Sequence, residues 1–291
     1  MKPAPFDYVA ASSVDEAVAL LANHGDDAKL IAGGQSLIPM LNFRLLQPDM
    51  LIDIGNIPDL QSISEATDSL LVGATVCHHM LLTSPLVRKH FPILCHAVSH
   101  VAHIAIRNRG TIGGSLSHAD PAAELPMMMV LLDAELEIAG PTGSRSIDAN
   151  TFFVGALTTV LEPDEMVVRI RLPFLPAGSG WEFQEVARRS GDFALAGAAS
   201  ILTATDGTVN TARVAVLGVD ETPLRILAAE DALRGNAFDE AAVAQAARSV
   251  QEAVEPKSDL HGSADYRRHL IGVLTGRVLR SAWRRATGDD R

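Results

Sequence analysis

Apolar positions change period along the chain, and those changes mark its elements. Val14, Ala17, Val18 and Leu21 recur at helical spacing behind Ser13 and Glu16, a capping-box pair. Asn23-His24-Gly25 closes that helix. The short apolar runs Leu30-Ile31-Ala32 and Met50–Ile54 predict strands. Together they predict a small α/β unit over about residues 1–55. A second unit opens near Pro58. Leu70–Ala74 predicts a strand, and Thr75 caps a helix carrying Met80, Leu81 and Leu82. Pro85 and Pro92 mark further helix starts, the second helix running to about Val101. A helix follows from Pro121 to about Leu132. Glu135–Ile138 alternates as a strand does, Gly140-Pro141-Thr142-Gly143 is a turn, and Met166–Leu172 is a strong strand ended by Pro173.

Pro173-Phe174-Leu175-Pro176-Ala177-Gly178-Ser179-Gly180 is rich in breakers and serves as a linker. It divides the chain into residues 1–176, with subparts of about 1–55 and 56–176, and residues 177–291. Beyond it, Trp181–Ala187, Ala194–Ala204 and Thr211–Val219 predict strands. Thr222-Pro223 opens a helix through Leu233, Asp239–Val254 is helical and rich in alanine, and Ser263–Ala286 is a long helix. Leu270, Val273, Leu274 and Val278 line one side of it. Arg267, Arg268, Arg277, Arg280, Arg284 and Arg285 read most simply as its solvated face, with a partner-docking face as the sharper option.

Charge and composition narrow the function. The 291 residues carry a net charge of −11, which argues against nucleic acid, a ligand that selects a basic face. No apolar run reaches membrane-spanning length, and the N-terminus has no signal-peptide apolar core, so a cytoplasmic protein is expected. The two cysteines, Cys77 and Cys95, are too few for an iron–sulfur cluster, which takes four thiolates. They are expected to be structural. No histidine cluster has metal-ligand spacing, so no metal is expected.

Candidate chemistry centres on two diglycine turns about eighty residues apart. The first is Ala32-Gly33-Gly34-Gln35-Ser36-Leu37. The second is Thr111-Ile112-Gly113-Gly114-Ser115, followed by Leu116-Ser117-His118 and by Asp120-Pro121, an N-cap with proline at the first helical position. Glycine lets a ligand approach the main chain, and free amides at such turns suit phosphate oxygens. Two such turns could grip the two phosphates of one dinucleotide. Neither fits Gly-x-Gly-x-x-Gly, and neither ends in the Gly-Lys-Ser/Thr of a P-loop.

The pair of turns, with Arg107–Gly110 leading into the second, closely resembles the flavin signatures of the FAD-binding subunits of molybdenum hydroxylases: the carbon monoxide dehydrogenase medium subunit and the flavin domain of xanthine dehydrogenase. Arg188-Arg189-Ser190-Gly191-Asp192-Phe193-Ala194 and Tyr266-Arg267-Arg268-His269-Leu270 extend the resemblance over nearly the whole chain. It implies an α+β fold: a two-part FAD-binding domain of the vanillyl-alcohol-oxidase/p-cresol-methylhydroxylase type, then a smaller C-terminal domain of antiparallel sheet and helices. By position, Ala32–Ser36 and Thr111–Ser115 would hold the FAD diphosphate and ribityl chain, with Leu37 continuing the first loop. Glu124 stands where relatives often have an aspartate contacting ribityl or ribose hydroxyls. Val167 would lie against the adenine through its backbone. Gln184 replaces a lysine that some relatives place near the flavin, and Gln35 replaces a common histidine. His103 and His118 flank the second turn and are expected to serve as structural hydrogen-bonding groups.

The resemblance further implies partners. A molybdenum subunit would hydroxylate the substrate, and an iron–sulfur subunit with two [2Fe–2S] clusters would pass electrons to FAD here, in a dimer of heterotrimers. The flavin would pass them to an external acceptor, and this chain would supply no catalytic side chain of its own. Two other readings stay open on the residues alone. One is a stand-alone flavin reductase on this fold, like the enolpyruvyl-glucosamine reductases. The other is a non-catalytic nucleotide-binding assembly protein.

Overall fold

The computed structural model describes residues 1–289 and contains three principal sheets. The first module holds β1 (Asp7–Ala10), α1 (Val14–His24), β2 (Ala28–Ile31), α2 (Leu37–Asn42) and β3 (Met50–Asp53). Its strands are parallel in the order β1-β3-β2. Ser13 Oγ caps α1 by accepting from the Glu16 amide at 3.1 Å. The reciprocal bond is shifted by one residue: the Glu16 carboxylate accepts from the amide of Ser12 at 2.8 Å rather than from Ser13. Ala17, Val18 and Leu21 bury the inner face of α1 over this sheet. Strand β1 was not foreseen, because only two of its four residues, Val9 and Ala10, are aliphatic.

The middle module runs through β4 (Ile63–Glu65), β5 (Ser69–Gly73), α3 (His78–Thr83), α4 (Pro85–His90), α5 (Pro92–His100), α6 (Ile104–Arg107), α7 (Ile112–His118), α8 (Glu124–Leu131), β6 (Glu135–Gly140), β7 (Gly143–Asp148), α9 (Ala149–Phe152), β8 (Phe153–Gly155), β9 (Thr158–Thr159) and β10 (Met166–Pro173). The sheet β4-β5-β10-β6-β7 is antiparallel. Strand β10 serves two cores. Met166 and Val168 join the first module's core, while Val167, Ile170 and Leu172 join the middle one. A bulge between Val167 and Arg169 shifts the two-residue alternation and makes this division possible. Helix α8 is buried on every side, so it has no polar face for a periodicity argument to find.

Two expected helix starts fall elsewhere. Thr75 does not cap α3; its hydroxyl donates to the Leu60 carbonyl, and α3 begins after Cys77. Asp120 does not open a helix at Pro121. Its carboxylate accepts from the Ala122 amide in a local turn, and α8 begins at Glu124.

The C-terminal module comprises β11 (Gly180–Ala187), β12 (Ala194–Thr205), β13 (Thr208–Leu217), β14 (Leu224–Arg225), α10 (Leu227–Leu233), α11 (Glu240–Ala253) and α12 (Ala264–Thr287). Its sheet is antiparallel in sequence order. Thr222-Pro223 leads into β14 rather than a helix, and α10 starts at Leu227. Ala196, Ala198, Leu202, Val214 and Val216 pack under the helices α10–α12. Phe183, Ala199, Ile201, Ala215 and Leu217 face the other way and join the middle module's core. Ten consecutive residues of β12 are therefore buried, and five of them are alanine or glycine, which lets helices close on both faces. Among the described residues no helix is long and apolar enough to cross a membrane.

Candidate functional site

The two glycine motifs meet backbone to backbone. A Cβ on Gly33 would fall 2.7 Å from the carbonyl carbon of Arg109 and 2.9 Å from Gly110 Cα, and nearer still to the Arg109 oxygen. Only glycine allows this approach. Gly34 follows with φ 71°, in the left-handed region that other L-residues rarely adopt. The Gln35 side chain folds back and donates to the Gly33 carbonyl at 3.0 Å, fixing the loop. Ser36 then takes the N-cap position of α2, with Leu37 as its first residue. The amides of Gly34, Gln35, Ser36 and Leu37 have no acceptor among the described residues. These donors, at the end of a strand and the start of a helix, form an anion cradle.

The second motif has a different form. Thr111 is the N-cap of α7, and Ile112, Gly113, Gly114 and Ser115 lie inside the helix rather than in a turn. Their amides, expected to be free, all have protein partners. Ile112 donates to Val76 O, Gly113 to Ala74 O, Gly114 to Thr111 Oγ1 and Ser115 to Thr111 O. The two glycines also differ. A Cβ on Gly113 would meet Ala74 Cβ and O at 2.7 Å, so Gly113 serves internal packing. Gly114 is exposed, and a Cβ there would meet only Thr111 Oγ1, at 2.8 Å. The second motif thus offers a small, open surface and the Ser115 hydroxyl, while the first offers amides.

Behind the second motif sits one residue that the sequence reading missed, His78, beside Arg107 of the motif itself. His78 is buried on α3, and its Nε2–H donates to the Thr111 carbonyl at 3.1 Å. Burial holds its pKa down to about 4, so the ring is neutral at physiological pH. Arg107 Nη1 donates to the carbonyls of Val101 and Ala102 at 2.7 and 2.8 Å, bracing a turn in which Ala102 has φ 40°. His103 and His118 make no side-chain hydrogen bond among the described residues. The supporting histidine is the more distant His78. Its sole signal was a polar residue beside an apolar helix face.

Glu124 opens α8 and is buried. Burial, and then the charge of Glu185, push its carboxyl up to about 8. Glu185 comes from β11, so the two acids belong to elements of the middle and C-terminal modules. Val167 is buried at the β10 bulge, which leaves only its backbone for a ligand. Gln184 stands apart from the glycine motifs. It lines a cavity of about 440 Å³ with His96, His100, Glu182, Arg277 and Arg285, and no residue of either motif lines it. The structure therefore joins residues 32–37 with 107–115, sets Glu124 at the start of α8, and leaves Gln184 in a cavity that neither motif lines.

Arg267 is not on the solvated face predicted for α12. It is buried and donates to the carbonyls of Leu195 and Gly218 at 2.6 and 3.0 Å, with Asp259 as its ion-pair partner at 2.7 Å. The Gly218 amide in turn donates to the Pro121 carbonyl at 2.9 Å. One arginine therefore ties the C-terminal helix to the segment that leads into Glu124.

A chain with two joined glycine motifs and a sheet-and-helix C-terminal module matches known proteins over its length. The family described as the FAD binding domain in molybdopterin dehydrogenase matches residues 4–175, and the CO dehydrogenase flavoprotein C-terminal domain matches residues 181–282. The chain is 44% identical over 287 residues to the 6-hydroxypseudooxynicotine dehydrogenase complex subunit alpha of Paenarthrobacter nicotinovorans, covering 98% of this chain and 97% of that one. It superposes on a chain of carbon monoxide dehydrogenase from Hydrogenophaga pseudoflava with a TM-score of 0.96 and 43% identity, covering 98% of this chain and 99% of that one. For quinoline 2-oxidoreductase from Pseudomonas putida 86 the values are 0.93 and 45%, with 99% of each chain covered. The chain belongs to the FAD-binding medium subunits of the molybdenum hydroxylase family. It is an oxidoreductase subunit with an FAD-binding domain, and its relatives are subunits of multi-subunit complexes.

Proposed function

We propose that this chain is the electron-transfer flavoprotein of a molybdenum-containing hydroxylase. In this reading it takes electrons from the [2Fe–2S] clusters of an iron–sulfur subunit, fed by a molybdenum subunit, and delivers them to an external acceptor. The assembly is a dimer of heterotrimers in the cytoplasm, and the chain divides at 176/177. The observation that carries the reading is the backbone contact of Gly33 with Arg109 and Gly110, which joins the two glycine motifs in one cradle.

The residues present fit FAD. The open amides of Gly34–Leu37 suit a diphosphate, and Ala32 and Gly33 bring the main chain close enough to offer them. Thr111, Ile112, Gly113, Gly114 and Ser115 would supply the opposite wall, with the Ser115 hydroxyl as donor. Glu124 would bond ribityl or ribose hydroxyls; carrying a proton at neutral pH, it can donate as well as accept. Val167 would meet the adenine through its backbone, whereas Gln184 lines a cavity apart from both motifs. When bound, FAD supplies the redox chemistry, accepting electrons singly and passing them on. The chain's own part is to bind it, orient it and limit water.

Purification of tagged protein from its native host tests the assignment. Flavin absorption, slow reduction by NAD(P)H alone, and co-purification of an iron–sulfur and a molybdenum subunit are expected. A lone monomer with full turnover would overturn it in favour of a stand-alone reductase. A colourless folded chain would favour an assembly protein.

A further inference from the structure

Each flanking module presses a glycine against the segment 101–110. From the first module, Gly33 packs on the backbone of Arg109 and Gly110. From the C-terminal module, Gly191 packs on the other end of the segment. It lies in the loop 188–193 between β11 and β12, with φ 85°. A Cβ there would fall 3.0 Å from the Ala102 carbonyl oxygen, 3.1 Å from its carbonyl carbon and 2.9 Å from His103 Cε1. Ala102 is itself in the left-handed region, with φ 40°. A turn of that shape needs support, and Arg107 supplies it. Its Nη1 donates to the carbonyls of Val101 and Ala102 at 2.7 and 2.8 Å, and to that of Ser99 at 3.4 Å. These carbonyls lie at the C-terminal end of α5, where a guanidinium also meets the negative end of the helix dipole. Arg107 is the last residue of α6, and the chain runs on from it through Arg109 to Thr111, the N-cap of α7. One short helix therefore connects the Ala102 seat to the second glycine motif.

We propose that Arg107 is a positioning residue for the cofactor site: it holds the 101–103 turn in the shape that seats the loop 188–193, and so sets the C-terminal module against the second glycine motif. This rests on the FAD reading above. The guanidinium is engaged by main-chain carbonyls, so its effect on the flavin is indirect. Without it, Ala102 relaxes towards ordinary backbone angles, its carbonyl moves, and Gly191 loses its seat. The loop then carries Arg188, Arg189 and Phe193, all exposed, away from α6. Because α6 leads directly into α7, the second wall of the cradle, a loose seat is felt as weaker flavin binding.

Two measurements on the full-length, flavin-free chain test this. Fluorescence titration gives the FAD Kd. Trypsin cleavage after Arg188 or Arg189, mapped by mass spectrometry, reports the seating of the loop without any cofactor. Arg107→Met should raise the FAD Kd about tenfold, the equivalent of one lost charge-assisted bond, and speed cleavage at both arginines severalfold. Gly191→Ala should do the same from the other side of the contact, and its place in a loop keeps the test open should Arg107→Met fail to fold. Both changes act through Ala102, so the double variant should be no weaker than the worse single one. Arg107→Lys should recover much of both readouts, because the two short bonds come from one nitrogen and an ammonium can replace it. Wild-type cleavage rates in Arg107→Met and Gly191→Ala, faster cleavage with an unchanged FAD Kd, additive penalties, or no recovery in Arg107→Lys would each overturn the proposal. A wild-type chain that binds no FAD, with the expected cleavage pattern in its variants, would instead overturn the FAD reading beneath it.

Discussion

Gly33 and Arg109 stand 76 positions apart in the chain and meet with no side chain between them; a Cβ on Gly33 would lie 2.7 Å from the Arg109 carbonyl carbon. The contact joins the first and middle modules where the proposed cofactor would bind. It therefore ties binding to the relative placement of two sheets.

Gly33→Ala should separate the two loops. The methyl group meets backbone atoms of Arg109 and Gly110, which cannot rotate away as a side chain could. Overpacking of this kind costs about 1–3 kcal/mol. A lower melting temperature and a severalfold lower flavin-to-protein ratio are expected, with the exposed Ser62→Ala as an unaffected control. A Gly33→Ala protein with full flavin content would show that the loop contact is dispensable.

The adjacent glycines of the second motif should respond in opposite ways. Gly113→Ala drives its Cβ into Ala74 and is expected to damage folding. Gly114→Val meets only the Thr111 hydroxyl and has an ordinary helical φ, so the fold should survive. Its branched side chain would nonetheless occupy the open wall of the cradle and abolish flavin binding. Circular dichroism with the flavin-to-protein ratio separates the two variants. A folded Gly114→Val protein with the wild-type ratio would remove α7 from the site.

Much of this was legible in the sequence, for definite reasons. The strands Met166–Leu172 and Trp181–Ala187 announced themselves by aliphatic and alternating runs. Strand β7, Gly-Ser-Arg-Ser-Ile-Asp, did not, because it is an exposed edge held by its pairing to β6. The glycine motifs were visible as residues but not as geometry. Nothing local says that Gly113 packs on Ala74 while Gly114 faces outward. The pairing of His100 with Glu185 spans 85 positions and arises only when the C-terminal sheet closes over α5. Arg267 shared the arginine-rich spacing of its neighbours, and only the fold separates it from them.

Arg267→Met should therefore cost far more than Arg268→Met. Removing the guanidinium strands the carbonyls of Leu195 and Gly218 and leaves Asp259 without its ion-pair partner. Breaking a buried, hydrogen-bonded charge costs about 3–5 kcal/mol. Arg268 is half-exposed, donating to the Val254 carbonyl at 3.3 Å, and its loss should be small. Urea unfolding of both variants decides this, and equal midpoints would return Arg267 to the solvated face.

Stability should depend on pH through two buried groups with opposite slopes. Glu124 rises from 4.5 to about 8, so between those values the folded chain holds a proton that the unfolded chain has released. Its contribution is complete below pH 4.5 and is lost as pH rises through 8. His78 falls from 6.5 to about 4, so its contribution is present above pH 6.5 and is lost as pH falls towards 4. The two oppose each other between 4.5 and 6.5. From 6.5 to 8 only the Glu124 slope remains, and stability should decline there by up to a few kcal/mol. Glu124→Gln keeps the shape of the side chain and removes the ionisation. Its unfolding midpoint should change little across that window, exceeding wild type at about pH 8 relative to their difference at about pH 5. Urea titrations at both pH values, on flavin-free chains, measure it. Parallel pH profiles for the two proteins would show that Glu124 is ionised in the folded chain at neutral pH.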